Sequence, residues 1–447
     1  MNSKITGINK EATEKFIKNQ AQDKQNPLGL NYTDNGTLRL NSVKNIVLIL
    51  LNDELLKGLF RFNEFTEEVD VVRDQIIDLS KYKMPNLKFT KDQVTDTDFE
   101  TLALYIEINI NYGVSFKISL IEQAVRSVAK MNPYNPVIDY FDNCLQNWDH
   151  HTRLFNFFPT YLGADNNATT ELITRLWFMG LVAKVYNPNT KFDYVLDLVG
   201  GQGTGKTTLL QKIAPLKLYT DQFNDFRDKD SYSVMKNALI VNDDEMTASN
   251  KVSFEEVKKF VTMQIFEYRK PYARTPSRFK KKFVIARTTN EIRHLKDKSG
   301  DRRFITILVH PNQQKLHPVV ALSQEYVNQL WGEVTYLYKE NKKNNINPFE
   351  LTKAENKLLK ENREQFMYTT SLEDELDNVL ETIFQNETFI AGTDLAKELL
   401  GDEYAFNHDR KTSSQVKYYM EHKGWDTNAR GYINSKRVRG FKKMGQD

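Results

Sequence analysis

The stretch YVLDLVGGQGTGKTTLLQKIAP, residues 194–215, leaves this chain few folds to choose from. A run of strand-forming residues stops at glycines, and a lysine, two threonines and a helix-forming tail follow at once. Gly200-x4-Gly205-Lys206-Thr207 meets the phosphate-loop spacing in full, with a strand before it and a helix after it. Glycines let backbone N–H groups curl round phosphate oxygens, and the helix aims its positive end at them. The segment therefore predicts an α/β core on a parallel sheet, with ATP held by Gly200, Gly201, Gln202, Gly203, Thr204, Gly205, Lys206, Thr207 and Thr208. Lys206 is expected to bridge the β- and γ-phosphates, and the Thr207 hydroxyl to ligate Mg2+.

A loop alone does not hydrolyse. Beyond it, NALIVNDDEM contains a short apolar run that reads as a buried parallel strand delivering Asp243, Asp244 and Glu245 at its end. Asp244 is assigned to the metal and Glu245 to activating water, with Asp243 as the alternative metal ligand. A second strand-like run, KKFVIARTTNE, ends in Thr288, Thr289 and Asn290, and a polar amide there is suited to orienting the attacking water. Arg302 and Arg303, in KDKSGDRRF, precede another apolar strand and are placed to reach the γ-phosphate of a neighbouring subunit. Solvated acids at a strand end and an ordinary surface arginine pair are the plain alternatives.

The chain has 447 residues, enough for two or three domains, and 40% hydrophobic residues, enough for real cores. Its 62 basic and 59 acidic residues nearly balance, so the distribution of charge must speak for any nucleic acid. The lone Cys144 excludes an internal disulfide framework and reads as a small buried hydrophobe. No apolar run reaches signal-peptide or membrane-span length, which predicts a cytoplasmic protein without a membrane partner. His150 and His151 are adjacent and lack a completing ligand set, so they predict no zinc site.

Residues 1–36 are polar and expected to be loosely ordered, and 37–135 read as a small mixed or mostly helical N-terminal domain. Within it, Asp96 or Asp98 is expected to cap the helix FETLALYIEINI. The two prolines of NPYNP, 132–136, mark a boundary. The ATPase domain with its leading helices follows over 136–340, a linker and helix over 341–370, and a last compact unit over 371–447.

WDHHTRL, GGQGTGKTTLL, YRKPYAR, RTTNE and GDRRF, in that order, resemble the virulence-associated E family, AAA+ ATPases of phages and mobile islands related to the superfamily 3 helicases. The likeness covers roughly residues 40–335. It implies a multidomain α/β protein with an AAA+ core and a ring, hexameric as a rule, that unwinds DNA during replication of a phage satellite or pathogenicity island. Where the family often carries Glu-x-x-Glu, this chain has Asn242-Asp-Asp-Glu245. With no primase signature at the N-terminus, priming falls to a separate primase or to host replication proteins.

Two segments suit DNA. FEYRKPYARTPSRFKKKF, residues 266–283, holds seven basic residues against one acid, Glu267, a net +6 with Tyr268 and Tyr272 interleaved. By the resemblance it forms a hairpin in the ring's pore, where Arg269, Lys270, Arg274, Arg278 and Lys280 track the phosphates of a single strand. In the last unit, residues 371–404 carry a net −9 and residues 405–447 a net +6, as in a two-faced binder. Three helices and an alternating basic hairpin make the winged-helix order, with Arg410, Lys411, Lys417, Arg437 and Arg439 available to double-stranded DNA. A solvated basic face explains the same charges. Two rival functions are an origin-binding initiator, in which ATP controls assembly, and a small-molecule kinase, in which neither basic segment has a purpose.

Overall fold

The structure, a computed structural model, describes residues 28–223, 225–228, 231–268, 276–296, 302–368, 371–433 and 436–444. It is a mixed α/β protein in which a parallel sheet is embedded among many helices.

The N-terminal part runs α1 (Val43–Asn52), β1 (Phe60–Asn63), β2 (Glu68–Val71), β3 (Gln75–Ile77), β4 (Leu87–Phe89), β5 (Asp92–Gln93), α2 (Asp96–Ile108), α3 (Ile118–Met131) and β6 (Pro133–Tyr134). Helices supply much of its core, with Ile46, Ile49, Leu102, Ile121 and Val125 fully buried. Short strands also contribute, in the order β5-β2-β1-β6 with a separate β3-β4 ladder, so the domain is mixed. The cap of α2 is neither Asp96 nor Asp98 but Thr95. Asp98 completes a capping box by accepting the Thr95 N–H at 2.8 Å, because a carboxylate three residues into a helix reaches back to its first donor. The proline-marked boundary is itself structured. Pro133 and Tyr134 pair in parallel with β1, and the Asn135 side chain accepts from the Val137 and Ile138 amides to start α4 (Pro136–Gln146).

Next come α5 (Phe157–Leu162) and α6 (Ala168–Tyr186). The latter is buried on nearly every side from Leu172 to Val185, and a helix so surrounded is stable only inside a core. Leu172, Leu176, Trp177, Phe178, Leu181 and Val182 are all buried, and the Trp177 indole N–H donates to the Ile285 carbonyl at 3.1 Å. Beneath it lie β7 (Val195–Val199), α7 (Lys206–Ile213), β8 (Tyr219–Thr220), α8 (Ser231–Lys236), β9 (Ile240–Asp243), α9 (Phe254–Thr262), β10 (Ile265–Tyr268), β11 (Ser277–Lys280), β12 (Val284–Thr289) and β13 (Phe304–Leu308). Five of these strands form an all-parallel sheet in the order β13-β7-β12-β9-β8, while β10 and β11 make a separate antiparallel hairpin. β7 and β12 are buried along their whole length, as central strands covered on both faces must be. The order matters for chemistry. It sets the end of β12 between the ends of β7 and β9.

α10 (Pro318–Ala321), α11 (Gln324–Lys343) and α12 (Lys353–Glu364) complete this part. The last unit holds α13 (Ser371–Thr382), β14 (Phe389–Ala391), α14 (Gly392–Leu400), α15 (Ala405–His408), α16 (Arg410–His422), β15 (Trp425–Ile433) and β16 (Lys436–Lys443). It has its own core around Leu376, Leu395, Val416, Met420 and Phe441. The hairpin expected here gains a third strand, in the order β14-β16-β15, and one extra short helical turn. Among the described residues no helix is long and apolar enough to cross a membrane.

Candidate active site

The site forms where β7 ends. Gly200 sits at φ +145, and a Cβ there would lie 2.5 Å from the Val309 carbonyl oxygen, so the chain has room only for glycine. Gly205, at φ +83, turns the chain into α7, whose first residue is Lys206. The Lys206 ammonium donates to the Gly200 and Gly201 carbonyls at 2.7 and 3.0 Å and to Asn290 Oδ1 at 3.1 Å. Burial lowers its pKa, against the nearby Glu245 and Asp244. Gly201, Gln202 and Gly203 are exposed at the mouth, Thr204 is buried with its hydroxyl on the Gly201 carbonyl at 3.2 Å, and Thr208 is half-buried.

The acid of the site is Asp244. Its Oδ1 accepts from the Thr207 hydroxyl at 2.6 Å, the Thr288 hydroxyl at 2.7 Å and the Asn242 amide at 3.2 Å. Asp243 faces the other way. Its carboxylate takes the Ala248 amide at 2.8 Å and both the amide and hydroxyl of Ser249 at 2.9 and 2.5 Å, tying down the turn that follows β9. Burial raises the pKa of Asp243, opposed by these bonds. Within that turn Glu245 and Met246 have φ of +51 and +50, a left-handed pair that costs L-residues about 1–2 kcal/mol each. The Glu245 amide is steadied by the Thr288 hydroxyl at 3.0 Å, and its side chain stays exposed.

A hydroxyl and a carboxylate oxygen side by side are hard oxygen ligands of the kind Mg2+ takes while keeping several waters. No group of three or more His, Cys, Asp or Glu among the described residues competes for a metal. The loop and acids fit a magnesium nucleotide.

Arg302 and Arg303 are elsewhere. Arg303 accepts the Val195 amide through its carbonyl at 2.8 Å, so both arginines stand where β7 begins, about 17 Å of strand from Gly200. With Lys191, Asp193, Tyr194 and Phe349 they line a cavity of about 450 Å3.

Of the basic hairpin, Arg269, Lys270 and Arg274 lie outside the described residues. Arg278 and Lys280 are exposed on β11, Arg278 paired with Glu267 across the hairpin at 2.7 Å. The next two lysines, counted with that basic run, are not available to DNA. Lys281 is buried, donates to the Val261 carbonyl at 2.7 Å and has its pKa pushed down to about 7 by burial. Lys282 donates to the Phe65 and Glu64 carbonyls of the N-terminal part at 2.7 and 3.0 Å. In the last unit Arg410, Lys411, Lys417, Arg437 and Arg439 are all exposed. Lys417 and Arg439 share a cleft with Arg430, which stands directly opposite Arg439 in the hairpin.

Sequence reasoning missed several contributors. Thr288 and Asn242 sat inside recognised motifs without a role. Gln314 donates to the Thr204 carbonyl at 3.1 Å and His317 Nε2 meets the Gly203 carbonyl at 3.0 Å, and no motif marks either. Under the site, Asp197 of β7 is wholly buried and pairs with Arg287 Nε and Nη2 at 2.7 and 2.5 Å and with His294 Nε2 at 2.8 Å.

A family model, the virulence-associated protein E-like domain, matches residues 141–368. No curated protein matches the chain. Among solved structures, an A-form apo structure of the NrS-1 C-terminal region (305–718) is 14% identical and covers 90% of this chain and 98% of its own, with a TM-score of 0.40. A second apo structure of that region gives 14%, 86%, 96% and 0.38. SCCmec type IV Cch, titled an active helicase, is 12% identical over 82% of this chain and 78% of its own, with a TM-score of 0.28.

Proposed function

The chain belongs to the virulence-associated protein E-like family, and from that premise we propose that it is an ATP-driven DNA helicase of the AAA+ type. It assembles as a ring, hexameric as a rule, translocates on single-stranded DNA in the cytoplasm and serves replication of a mobile genetic element. One observation carries this reading. Lys206, Asn290, Thr207 and Asp244 converge at the carboxyl ends of the parallel strands, while Arg302 and Arg303 stand at the opposite strand ends, out of reach of their own loop. Such a division makes sense when one subunit's arginines complete its neighbour's site.

The roles follow from position. Magnesium, when bound, supplies positive charge to the phosphate oxygens, with Thr207 and Asp244 as its ligands on this chain. Lys206 sets its ammonium against the phosphates. Asn290 orients the attacking water through its amide, and Glu245 takes that water's proton. The neighbour's Arg302 or Arg303 offsets charge developing on the transferred phosphoryl group. Arg269, Lys270, Arg274, Arg278 and Lys280 grip the strand in the pore. The last unit is a winged helix that holds duplex DNA, and a primase or host replication proteins supply primers.

Mixing an Arg303→Ala protein with a Glu245→Gln protein, each inactive alone, is expected to restore part of the ATP turnover measured by phosphate release. Complete failure to complement would mean that each site is built within one chain.

A second reading, an origin-binding initiator whose ATP controls assembly, draws on the exposed basic face of the last unit. A forked duplex without any origin sequence decides between them. The helicase is expected to unwind it, whereas an initiator leaves it intact and assembles only on origin DNA.

A further inference from the structure

The chain leaving β13 doubles back over the phosphate loop before it enters α11. Residues 309–322 form a strap whose near side is stitched to neighbouring backbone. The Val309 amide donates to the Val199 carbonyl at 2.8 Å, the His310 amide to Leu162 at 3.1 Å, and the Lys315 and Leu316 amides both to Thr160 at 3.1 and 3.0 Å. Its far end is held by Lys212 of α7, whose ammonium donates to the Pro318, Val319 and Leu322 carbonyls at 2.9, 2.7 and 3.1 Å. Strap and loop touch closely: a Cβ on Gly205 would lie 2.6 Å from Pro318 Cγ.

Between these anchors, two side chains reach the loop. Gln314 Nε2 donates to the Thr204 carbonyl at 3.1 Å and also to the Tyr161 carbonyl. His317 Nε2 lies 3.0 Å from the Gly203 carbonyl. Its tautomer follows from the other nitrogen. The Val319 amide donates to His317 Nδ1 at 3.3 Å, so Nδ1 is the acceptor and Nε2 carries the hydrogen.

Both contacts fall on successive peptides, and every peptide bond among the described residues is trans. In a trans peptide the C=O and the following N–H point in opposite directions. Holding the Gly203 and Thr204 oxygens against the strap therefore turns the Thr204 and Gly205 N–H groups to the side the strap leaves open. Those are donors a phosphate loop needs, and donors already turned require no reorganisation when an anion arrives.

We propose that Gln314 and His317 are positioning residues for phosphate binding, presetting two successive peptides of the loop from outside it. This rests on the reading of the loop as a triphosphate site. Both act through the loop's backbone carbonyls.

The test uses the full chain with Mg2+, a fluorescent ATP analogue and, by competition, inorganic tripolyphosphate. Gln314→Met keeps the length but removes the donor. His317→Asn keeps an acceptor to cap α10 but is too short for Gly203. Each variant is expected to weaken Kd for both probes about tenfold, the size of one hydrogen bond lost at a preset site. KM for ATP should rise by the same factor, with kcat and the thermal unfolding midpoint unchanged. If the wild type binds but the variants match it, the proposal fails alone. A fall in the midpoint that tracks the loss of binding, or a loss confined to the ATP analogue, overturns it as well. A wild type that binds neither probe would overturn the site reading and the proposal with it.

Discussion

Alanine in place of Lys206 is expected to bring ATP turnover and unwinding down to background while the protein still folds. The ammonium sits at the centre of the site, shared by the Gly200 and Gly201 carbonyls and by Asn290 Oδ1. Removing it takes away the one cation that the loop itself aims at the phosphates and leaves Asn290 without its lysine partner. A charge placed on a transferring phosphoryl group is worth about 10^3-fold or more in rate. The fold should tolerate the change. Burial already penalises the charged lysine, and water entering from the open mouth can serve the orphaned carbonyls. A shift in thermal midpoint of about 2–4 °C, or about 1 kcal/mol, is the expected size. Phosphate release and circular dichroism measured on the same preparation check both halves. Normal turnover would mean that hydrolysis happens somewhere else.

The second large effect concerns stability. Arg287→Met is expected to destabilise the protein by about 3–5 kcal/mol, because it strands a fully buried carboxylate. Asp197 is wholly buried in β7, between Arg287 and His294, and the Arg287 guanidinium also lies 4.3 Å from the centre of the Phe304 ring. Burial alone would push the Asp197 carboxyl up, yet Arg287 and His294 together hold it below the usual carboxylate range. A depressed carboxyl contributes stability that is complete above its unfolded value of about 3.9 and is lost as pH falls through the folded value. Differential scanning calorimetry at neutral pH should show the midpoint lower by about 6–20 °C. Adding Asp197→Asn should recover part of the loss by removing the stranded charge. A midpoint equal to wild type would mean that Asp197 is already balanced without Arg287. Because β7 runs into the phosphate loop and β12 into Thr288 and Asn290, the same pair also keeps those two strand ends in register.

Reading order along the chain explains what was visible beforehand. Gly200 to Thr208 form a turn and the start of a helix, so their geometry depends on neighbours a few residues away. Asp244 was assigned over Asp243 by position along the strand, but the contacts that separate the two were not visible. Both sit at the end of one strand, and only the pleat and the Ser249 turn decide which faces Thr207. The net charge of the basic run around 278–282 counted two lysines that the fold engages elsewhere. Charge counting takes no account of burial, and Lys281 and Lys282 spend their ammonium groups on backbone carbonyls of other elements.

From the sequence alone came the phosphate loop, the strand ends that carry polar groups, the family resemblance and a separate C-terminal unit. Each is written in contiguous residues with a local period or spacing. Only the tertiary structure decided that Asn290 meets Lys206, that Arg302 and Arg303 stand at the opposite strand ends, and that Gln314 and His317 lie against the loop from more than 100 residues away. Those pairings depend on the strand order β13-β7-β12-β9-β8, which no pattern along the chain encodes. Sheet order is settled by which buried faces pack together, and that is a property of the folded whole.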